Sequence, residues 1–469
     1  MKQDNPIQKI WSLCNILRGD GITYYQYISE LSYLLFLKIA DENGSEEFIP
    51  KGFRWTDLES HDEEGLLGFY QEMLTHLGAT IENEVVKAIY AFPTTVFSHS
   101  ENLKAVIDGI SKIDWHQVGQ DGFGELYSGL IDKSAQDARS GAGQYFTSRP
   151  LVETIVTLCK PELGELIQDP TSGSGGFLVA ADDYIRRTTS DKEYRTTPPR
   201  YQGVEIEKNT RRICLMNTFL HGLDAKIIYG DALTSDAEEL DPADLILANP
   251  PFGSKAGSRR SLRKDLPFHN CNKQLAFLQH IYLGLKEGGR AAVVLPDSVL
   301  FEDGVGRHVR KELMQTCNLH TILRLPTGIF YATGVKTNVL FFSKKKVSGE
   351  GTKDVWIYDM RTNMPRFGKN TPLSNQHFED FVSCFGDDPY GGSPRKDKSN
   401  KRFRKFTREE IAKQDDNLDI TWLQNVENGD DLTEIEDITA AIFDHLRSAL
   451  EEIEAVSAEV AIHKGVEHE

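Results

Sequence analysis

Apolar residues recur at two different spacings along this 469-residue chain. Before about residue 125 they return every three or four positions, as on the buried side of a helix. The run 27–40 is apolar over most of a helical circumference, which predicts a helix buried between other helices. We therefore predict a helical N-terminal domain over residues 1–125. Fold support, partner docking and one wall of a nucleic-acid channel are all open roles for it.

From residue 126 to about residue 350, short β-branched runs alternate with helical segments. This alternation predicts an α/β domain with a doubly wound, mostly parallel seven-stranded sheet. The predicted strands are residues 166–169, 201–205, 226–229, 245–248, 291–295, 321–324 and 338–342. Ligands of such sheets bind in the crevice beyond the carboxyl ends of the strands, so polar residues at those ends are the candidates for a site.

The fourth predicted strand ends abruptly at Asn249, Pro250, Pro251 and Phe252. Proline has no N–H and cannot continue a central strand, so the following residues form a stiff, extended loop. The loop presents an amide, two carbonyls and an aromatic face, which suits the binding of a planar group that carries an NH₂. A rigid strand-to-loop corner with a buried Phe is the alternative.

The first predicted strand ends in a glycine-rich segment that leads into an apolar helix from Phe177. Glycines let backbone approach a ligand closely, and the helix start offers free N–H groups. The segment is neither a P-loop nor a G-x-G-x-x-G motif, and a plain tight turn stays open. Its candidate binding residues are Asp169, Thr171, Ser172, Gly173, Ser174, Gly175 and Gly176.

Acidic residues close the next two predicted strands. Glu205 ends the second strand, where a carboxylate suits the two hydroxyls of a ribose. Asp231 follows the third strand, where it can accept a hydrogen bond from an adenine amino group. Each acid alone is equally compatible with a helix cap or a surface position, but three polar strand ends in this order describe a pocket for an adenosine without a pyrophosphate.

A further polar segment precedes this fold and supplies a hydroxyl, an amide and a guanidinium that can meet a carboxylate. An adenosine joined to an amino acid is S-adenosylmethionine, which is therefore the predicted cofactor. The candidate residues of this segment are Gln144, Tyr145, Phe146, Thr147, Ser148 and Arg149.

The net charge of −18 is concentrated near the C-terminus, because residues 415–469 hold 16 acids against Arg447 and Lys464. The remaining residues carry only about −4. Two stretches are basic: residues 395–408 and residues 254–264, the second starting just after Phe252, where phosphates of a nucleotide target would lie. Solvated surface faces are the alternative. The candidate DNA-binding residues are Lys255, Arg259, Arg260, Arg263 and Lys264.

The last residues predict a separate element. We divide the C-terminal part into an extension with the basic stretch at 351–430 and an acidic amphipathic helix at 431–469. Apolar residues recur there every three or four positions from Ile435 to Val460. Docking to a partner and folding back onto the same chain are both open.

Membrane, metal and secretion signals are weak. No apolar run approaches the roughly 18 residues of a membrane span, and the N-terminus lacks the apolar core of a signal peptide. The six cysteines are far apart and form no CxxC pair, which argues against zinc and disulfides. We expect a cytoplasmic protein without a membrane span or a bound metal.

With these motifs in this order, the sequence resembles the amino-methyltransferases that act on N6 of DNA adenine. It resembles most closely the modification (M) subunits of type I restriction-modification systems. The motifs are WSLCNILRGD (11–20), GELY (124–127), QYFT (144–147), DPTSGSGGF (169–177), GVE (203–205), NPPF (249–252), LKEGGRAAVVLP (285–296), LPTGIF (325–330) and TGVKTN (333–338). One departure is Ser148, where the family usually has proline, which should soften that loop.

The resemblance implies a site-specific DNA adenine N6 methyltransferase that uses S-adenosylmethionine. It implies Asn249, Pro250, Pro251 and Phe252 as the catalytic residues, which act on a base flipped out of double-stranded DNA. It also implies a partner specificity (S) subunit flanked by two M subunits, and a restriction (R) subunit in the full complex. Methyltransferases of RNA or protein glutamine, and a non-catalytic scaffold, stay open as alternatives.

Overall fold

The structure is a computed structural model of the chain, and it describes most of the residues before 424. The described residues are 6–18, 21–22, 24–44, 46–80, 82–115, 124, 126–131, 147–252, 262–269, 271–330, 335–345, 351–365, 367, 371–397 and 400–423. The predicted acidic helix at 431–469 lies outside this set.

A nine-stranded sheet forms the centre of the α/β fold, with the strand order β3-β2-β1-β4-β5-β7-β6-β8-β9. Its strands are β1 (Leu166–Asp169), β2 (Arg200–Glu205), β3 (Ala225–Tyr229), β4 (Ala243–Ala248), β5 (Leu285–Pro296), β6 (Cys317–Arg324), β7 (Thr337–Lys344), β8 (Asp354–Asp359) and β9 (Phe403–Thr407). The pairs β1–β2, β1–β4, β2–β3 and β6–β8 are parallel, whereas β6–β7 and β8–β9 are antiparallel. The predicted α/β class is confirmed, and all seven predicted strands are present. The sheet is two strands wider than predicted, because β8 and β9 extend it.

The helices follow the predicted alternation. They are α1 (Pro6–Arg18), α2 (Tyr24–Glu42), α3 (Trp55–Ser60), α4 (Leu66–Thr80), α5 (Glu84–Ile89), α6 (Ser100–Ser111), α7 (Arg149–Cys159), α8 (Gly176–Thr188), α9 (Asp191–Thr196), α10 (Lys208–Leu220), α11 (Lys273–Gly284), α12 (Ser298–Phe301), α13 (Val305–Thr316), α14 (Glu379–Phe385) and α15 (Arg408–Ala412). Every residue of α2 from 27 to 40 is buried, as its all-round apolar pattern predicts.

Arg212 of α10 joins the N-terminal helices to the strands that follow. Its guanidinium donates to the Ser29 hydroxyl at 2.8 Å and to the Ile89 carbonyl at 3.1 Å, and it lies 4.0 Å from the centre of the Tyr33 ring. Since a buried cation needs partners, these contacts hold α10 against α2 and α5. The N-terminal helices therefore support the helix that connects β2 to β3.

The chain forms two compact units. One comprises Met1–Asn249 with Leu283–Ala292, and the other comprises Pro250–Tyr282 with Val293–Glu469. The first contains the N-terminal helices together with β1 to β4. The domain boundaries predicted after residues 125, 350 and 430 rest on sequence patterns and stay predictions.

The basic stretch 395–408 contributes to packing in the second unit. Arg395 is largely buried and donates to the Phe385 carbonyl at 2.8 and 3.0 Å. Phe403 is buried in β9 and stacks on Trp356 of β8, with ring centres 4.8 Å apart. Lys405 lies 3.7 Å from the Asp354 carboxylate. Contacts within the second unit therefore account for Arg395, Phe403 and Lys405 without a nucleic-acid partner.

Among the helices that the structure describes, none is long and apolar enough to cross a membrane.

Arg290 of β5 links this strand to Glu165 and to the end of α7 in the first unit. Its side chain is 2% exposed, and it pairs with both carboxylate oxygens of Glu165 at 2.7 and 3.0 Å. It also donates to the Cys159 and Lys160 carbonyls at the end of α7, both at 2.6 Å. We expect Arg290→Met to lower the free energy of unfolding by about 3–5 kcal/mol in urea titrations, because it leaves a largely buried carboxylate unpaired.

The matched control is Lys286→Met on the same strand. The Lys286 ion pair with Asp244 is 39% and 30% exposed on its two sides, so its loss should cost no more than about 1 kcal/mol. Equal losses in the two variants would contradict the role assigned to Arg290.

Candidate functional site

The strand ends that carry the predicted polar residues meet at one edge of the sheet. In the parallel register Asp169 of β1 lies opposite Gly203 of β2, and Glu205 lies opposite Tyr229 of β3. On the other side of β1, Gln168 lies opposite Ile246 of β4, three residues before Asn249. Because the carboxyl ends of parallel strands point the same way, Asp169, Glu205, Asp231 and Asn249 all follow strands at that edge.

The glycine-rich segment after β1 is a tight turn that packs directly against β2. Gly173 and Gly175 have φ of 53° and 79°, which favour glycine. The Ser172 amide donates to the Val204 carbonyl at 3.0 Å. A Cβ at Gly203 would lie 1.9 Å from the Ser172 hydroxyl oxygen, so that position requires glycine. The turn and Gly203 thus form a close-packed backbone platform at the start of α8.

Glu205 lies in this platform as a largely buried carboxylate. Its two oxygens accept hydrogen bonds from the Gly173 amide at 3.0 Å and the Glu207 amide at 2.8 Å. Burial raises the pKa of Glu205 to about 7. Among the described residues, no Lys or Arg forms an ion pair with it. A carboxylate has about four acceptor positions, so capacity for two hydroxyl donors is left.

Asp169 and Asp231 form local turns at the ends of β1 and β3. Asp169 is buried, which raises its pKa to about 7, and its Oδ1 accepts from the Thr171 amide at 2.9 Å. Asp231 is half-buried, and its Oδ1 accepts from the Leu233 amide at 2.9 Å. Among the described residues, each acid therefore makes these hydrogen bonds through one oxygen, and the predicted ligand roles stay predictions.

Thr147, Ser148 and Arg149 lead into α7. Ser148 is the N-cap with φ −58°, close to the value that a proline ring imposes. Arg149 is exposed and pairs with Glu153 at 2.8 Å. A cavity of about 330 Å³ opens here, and Thr147, Arg149, Ser174 and Gly176 are among its lining residues. The structure therefore brings these two predicted binding segments to one cavity.

Asn249 is the first residue after β4. Its side-chain Nδ2 donates to the Thr147 hydroxyl oxygen at 3.0 Å. Its Oδ1 is buried and has no hydrogen-bond partner among the described residues. Since buried polar atoms in proteins are nearly always paired, an acceptor left without a partner is a candidate binding atom.

In the second unit, Pro250 is buried, Pro251 is exposed and Phe252 is half-buried. The Phe252 ring meets Phe330 edge to face, with ring centres 5.6 Å apart. This contact keeps the ring in one orientation, while the half-exposed ring leaves surface for stacking.

Arg263 and Lys264 differ in their exposure to solvent. The Arg263 side chain is 16% exposed, donates to His280 Nδ1 at 2.6 Å and pairs with Asp265. His280 is buried in α11, and this lowers its pKa to about 3, so the ring is neutral and accepts the bond. Arg263 therefore anchors the segment to α11 rather than facing solvent, whereas Lys264 is exposed.

The remaining predicted residues lie outside the described part of the chain. They are Gln144, Tyr145, Phe146, Lys255, Arg259 and Arg260.

Two residues at this edge were missed by the sequence analysis. Ile206 directly follows Glu205 and is 59% exposed, an unusual position for an apolar side chain beside a polar site. Asn217 of α10 donates to the Ser174 carbonyl at 3.0 Å and accepts from the Ser128 hydroxyl at 2.9 Å. The signal for Ile206 was its place after the acid, whereas only tertiary structure reveals Asn217.

The chain is similar to known proteins over nearly its whole length. A family model described as N-6 DNA Methylase matches residues 118–431, and one described as HsdM N-terminal domain matches residues 7–110. A Salmonella potsdam protein named as the methylase subunit of the type I restriction enzyme StySPI is 41% identical, over 98% of this chain and 96% of the relative. The methylase subunit of the type I restriction enzyme EcoKI from Escherichia coli K12 is also 41% identical, with the same coverage.

Two solved structures are also similar to this chain over nearly its whole length. A crystal structure of the type I restriction enzyme EcoKI M protein is 39% identical, has a TM-score of 0.55 and covers 97% of this chain and 96% of its own. A chain from a study of complex assembly in the type I R-M system is 25% identical, has a TM-score of 0.75 and covers 98% of this chain and 99% of its own.

The raised pKa of Glu205 predicts a pH dependence of stability. The folded pKa of about 7 lies above that of an unfolded glutamate, near 4.3, so the folded state binds the extra proton between those values. The free energy of unfolding should therefore rise as pH falls from about 7 towards about 4. Glu205→Gln should flatten this dependence and stabilise the protein at pH 8 by about 1–3 kcal/mol, as measured by urea titration across pH.

Burial also raises the pKa of Asp169, so its contribution to the pH dependence of stability has the same sign as that of Glu205. Some pH dependence of stability will therefore remain in Glu205→Gln. Glu238→Gln, which changes an exposed acid, should keep the wild-type profile. A Glu205→Gln protein that is less stable than wild type at pH 8 would show that the carboxylate stabilises the fold.

Proposed function

We infer the function from one premise: this chain belongs to the N-6 DNA methylase family, together with the methylase subunits of type I restriction enzymes. It transfers a methyl group from S-adenosylmethionine to N6 of an adenine flipped out of double-stranded DNA. The observation that carries this proposal is the buried Oδ1 of Asn249, which lacks a hydrogen-bond partner among the described residues.

The chain's residues fit the cofactor. Acceptor positions that have no donor among the described residues remain on both acids. Those of Glu205 suit the two ribose hydroxyls, and Oδ2 of Asp231 suits an adenine amino group. Gly203 and Gly175 let the turn pack closely on β2 and α10, since a Cβ at Gly175 would lie 3.1 Å from the Cys214 sulfur. In the cavity that they line, Thr147, Arg149 and Ser174 offer polar groups to the amino-acid end of the cofactor. Bound there, S-adenosylmethionine supplies a methyl group activated by its sulfonium.

Asn249 and Pro250 activate the target nitrogen. The N6 lone pair of adenine is delocalised into the ring, which makes the amino group a poor nucleophile. We assign the two N6 hydrogens to the Asn249 side-chain oxygen and the Pro250 carbonyl, which draw the nitrogen towards tetrahedral geometry. As positive charge develops on N6, these oriented dipoles stabilise it, and no strong general base is needed.

The aromatic residue of the motif receives the base. Adenine N6 lies inside the duplex, so the base must leave the stack before transfer. Phe252, held edge to face by Phe330, offers its face to the flipped base, a contact worth on the order of 1–3 kcal/mol. Pro251 keeps the segment extended between the sheet edge and the ring.

The partners of the proposed complex follow the family's division of labour. A specificity subunit reads the DNA sequence between two copies of this chain, and a restriction subunit joins the full complex. The basic residues Lys255, Arg259, Arg260 and Lys264 are the proposed phosphate contacts, with Arg263 as their anchor. The acidic amphipathic segment 431–469 is the proposed docking element for the specificity subunit.

Identification of the methylated atom tests this proposal. We expect the full chain, co-expressed with its specificity subunit, to transfer tritiated methyl to DNA from a methylation-deficient strain. Nucleoside digestion and mass spectrometry should give N6-methyldeoxyadenosine. Label found only in RNA or in protein glutamine would contradict the DNA assignment, and an absence of transfer with cofactor bound would favour the non-catalytic scaffold.

Asn249→Ala tests the catalytic assignment. We expect methyl transfer to fall by at least about 100-fold, because one of the two acceptors of the target amino group is lost. Cofactor binding by isothermal titration should stay within about threefold of wild type, since the residue contacts the target and not the donor.

Asn43→Ala is the matched control. Asn43 has the same chemistry, with a buried Oδ1 that lacks a partner among the described residues, but it follows α2 in the helical N-terminal region. Its activity should stay within about twofold of wild type. Retained transfer in Asn249→Ala would remove Asn249 from the mechanism.

A further inference from the structure

The hydrogen bond between Asn249 and Thr147 determines which end of the amide faces away from Thr147. Nδ2 donates to the Thr147 hydroxyl oxygen at 3.0 Å, and the opposite atom, Oδ1, is the one left without a partner among the described residues. An amide has one accepting end and one donating end, related by a half-turn of the side chain. A threonine hydroxyl can donate as well as accept, but here it accepts from Nδ2, so the accepting end of the amide is the one left for a ligand.

This choice decides whether the amide can act on an amino group. An NH₂ carries hydrogens and needs an acceptor, so only Oδ1 can take a hydrogen from adenine N6. With the amide turned over, Nδ2 would face the target nitrogen, donor would meet donor, and the base would be repelled. The proposed reaction thus requires one of two amide orientations that have nearly the same shape.

Thr147 is well placed to hold the amide because its own position is fixed by α7. It comes two residues before the first residue of that helix, and the Ser148 carbonyl accepts from the Leu151 and Val152 amides at 3.0 and 3.1 Å. The far end of the helix is held by Arg290 through the Cys159 carbonyl at 2.6 Å. A partner on a rigid element sets a side-chain orientation more sharply than one on a loop.

We propose that Thr147 is a positioning residue that orients the Asn249 amide, so that its oxygen faces the target amino group. This inference rests on the proposed function. It gives Thr147 a different role from the cofactor contact predicted from the sequence, because its hydroxyl acts through Asn249 on the nucleophile's side of the reaction.

Thr147→Val removes the hydroxyl and keeps the shape. We expect kcat at saturating cofactor to fall about tenfold, the effect of one neutral hydrogen bond, because the amide is no longer held in the productive orientation. Cofactor affinity, measured by isothermal titration, should stay within about threefold of wild type. Thr147→Ser restores the hydroxyl and should recover kcat to within about twofold.

Thr154→Val is the matched control, on the helix that Thr147 precedes. Among the described residues the Thr154 hydroxyl bonds only the Pro150 carbonyl, at 2.7 Å, so the same atom is removed without touching Asn249. Its kcat should be unchanged. An equal fall of kcat in Thr154→Val would mean that the effect of Thr147→Val comes from a weakened helix, and the inference would be wrong.

Two other outcomes would overturn the inference. A Thr147→Val protein with normal kcat and weakened cofactor binding would make Thr147 a cofactor contact, as the sequence predicts. Normal values of both would make the bond incidental.

Thermal unfolding tests the bond without any activity measurement. Thr147→Val and Asn249→Ala break the same hydrogen bond, so the double variant should melt no lower than the less stable single variant. Additive losses would show that the two residues act separately. Wild-type methyl transfer reports on the proposed function and the ratio of variant to wild type reports on Thr147, so the two proposals fail separately.

Discussion

The end of β4 at Asn249 and the two prolines is the constraint on which the rest of the site depends. Because Pro250 and Pro251 have no N–H groups, strand pairing cannot continue past Ala248. Asn249 is therefore the first side chain beyond the sheet edge, at the level where β1, β2 and β3 also end. A strand that ran on would have kept Asn249 within the sheet, with its side chain on one face of the sheet instead of beyond the strand end.

The same edge concentrates groups that are unfavourable for folding. Burial raises the pKa values of Asp169 and Glu205, two glycines adopt positive φ, and a buried amide oxygen lacks a partner among the described residues. The raised pKa values and the amide oxygen without a partner among the described residues do not favour folding, and these acceptors suit a ligand with hydroxyl or amino donors. Their stability cost is offset elsewhere, for example by the paired Arg290 and by the buried helix α2. This separation of stabilising and destabilising regions is what a binding site built for polar ligands requires.

Sequence patterns located the strands and the polar strand ends, because buried parallel strands are apolar throughout and their ends are marked by glycine, acid or proline. They did not find β9, in which Arg404 and Lys405 interrupt the apolar pattern. The charges of residues 395–408 suggested a nucleic-acid surface, but Arg395 and Phe403 pack inside the second unit. Charge along a sequence does not reveal which long side chains are buried over their length.

Sequence patterns also do not reveal contacts between residues that are distant in the sequence. The sequence predicts a cofactor contact for Thr147, because its hydroxyl could meet a carboxylate, yet the hydroxyl contacts Asn249, 102 residues away. Asn217, which joins Ser128 to Ser174, lies in the middle of an unremarkable amphipathic helix. Such residues have no local signature, since their function lies in a geometry that only the folded sheet creates.

In the proposed mechanism, the chemistry of the motif also accounts for a second chain that reads the DNA sequence. Two acceptors oriented at a nitrogen recognise an amino group, and adenine, cytosine and guanine all carry one. Asn249 and Pro250 therefore select a kind of atom, while the shape of the base and the sequence around it must be recognised by other groups. A methylase with this loop alone would modify flipped bases wherever they appeared. In the proposed complex, site selection depends on which base is flipped, so specificity would be controlled by the contacts between the chain, its partner and the duplex.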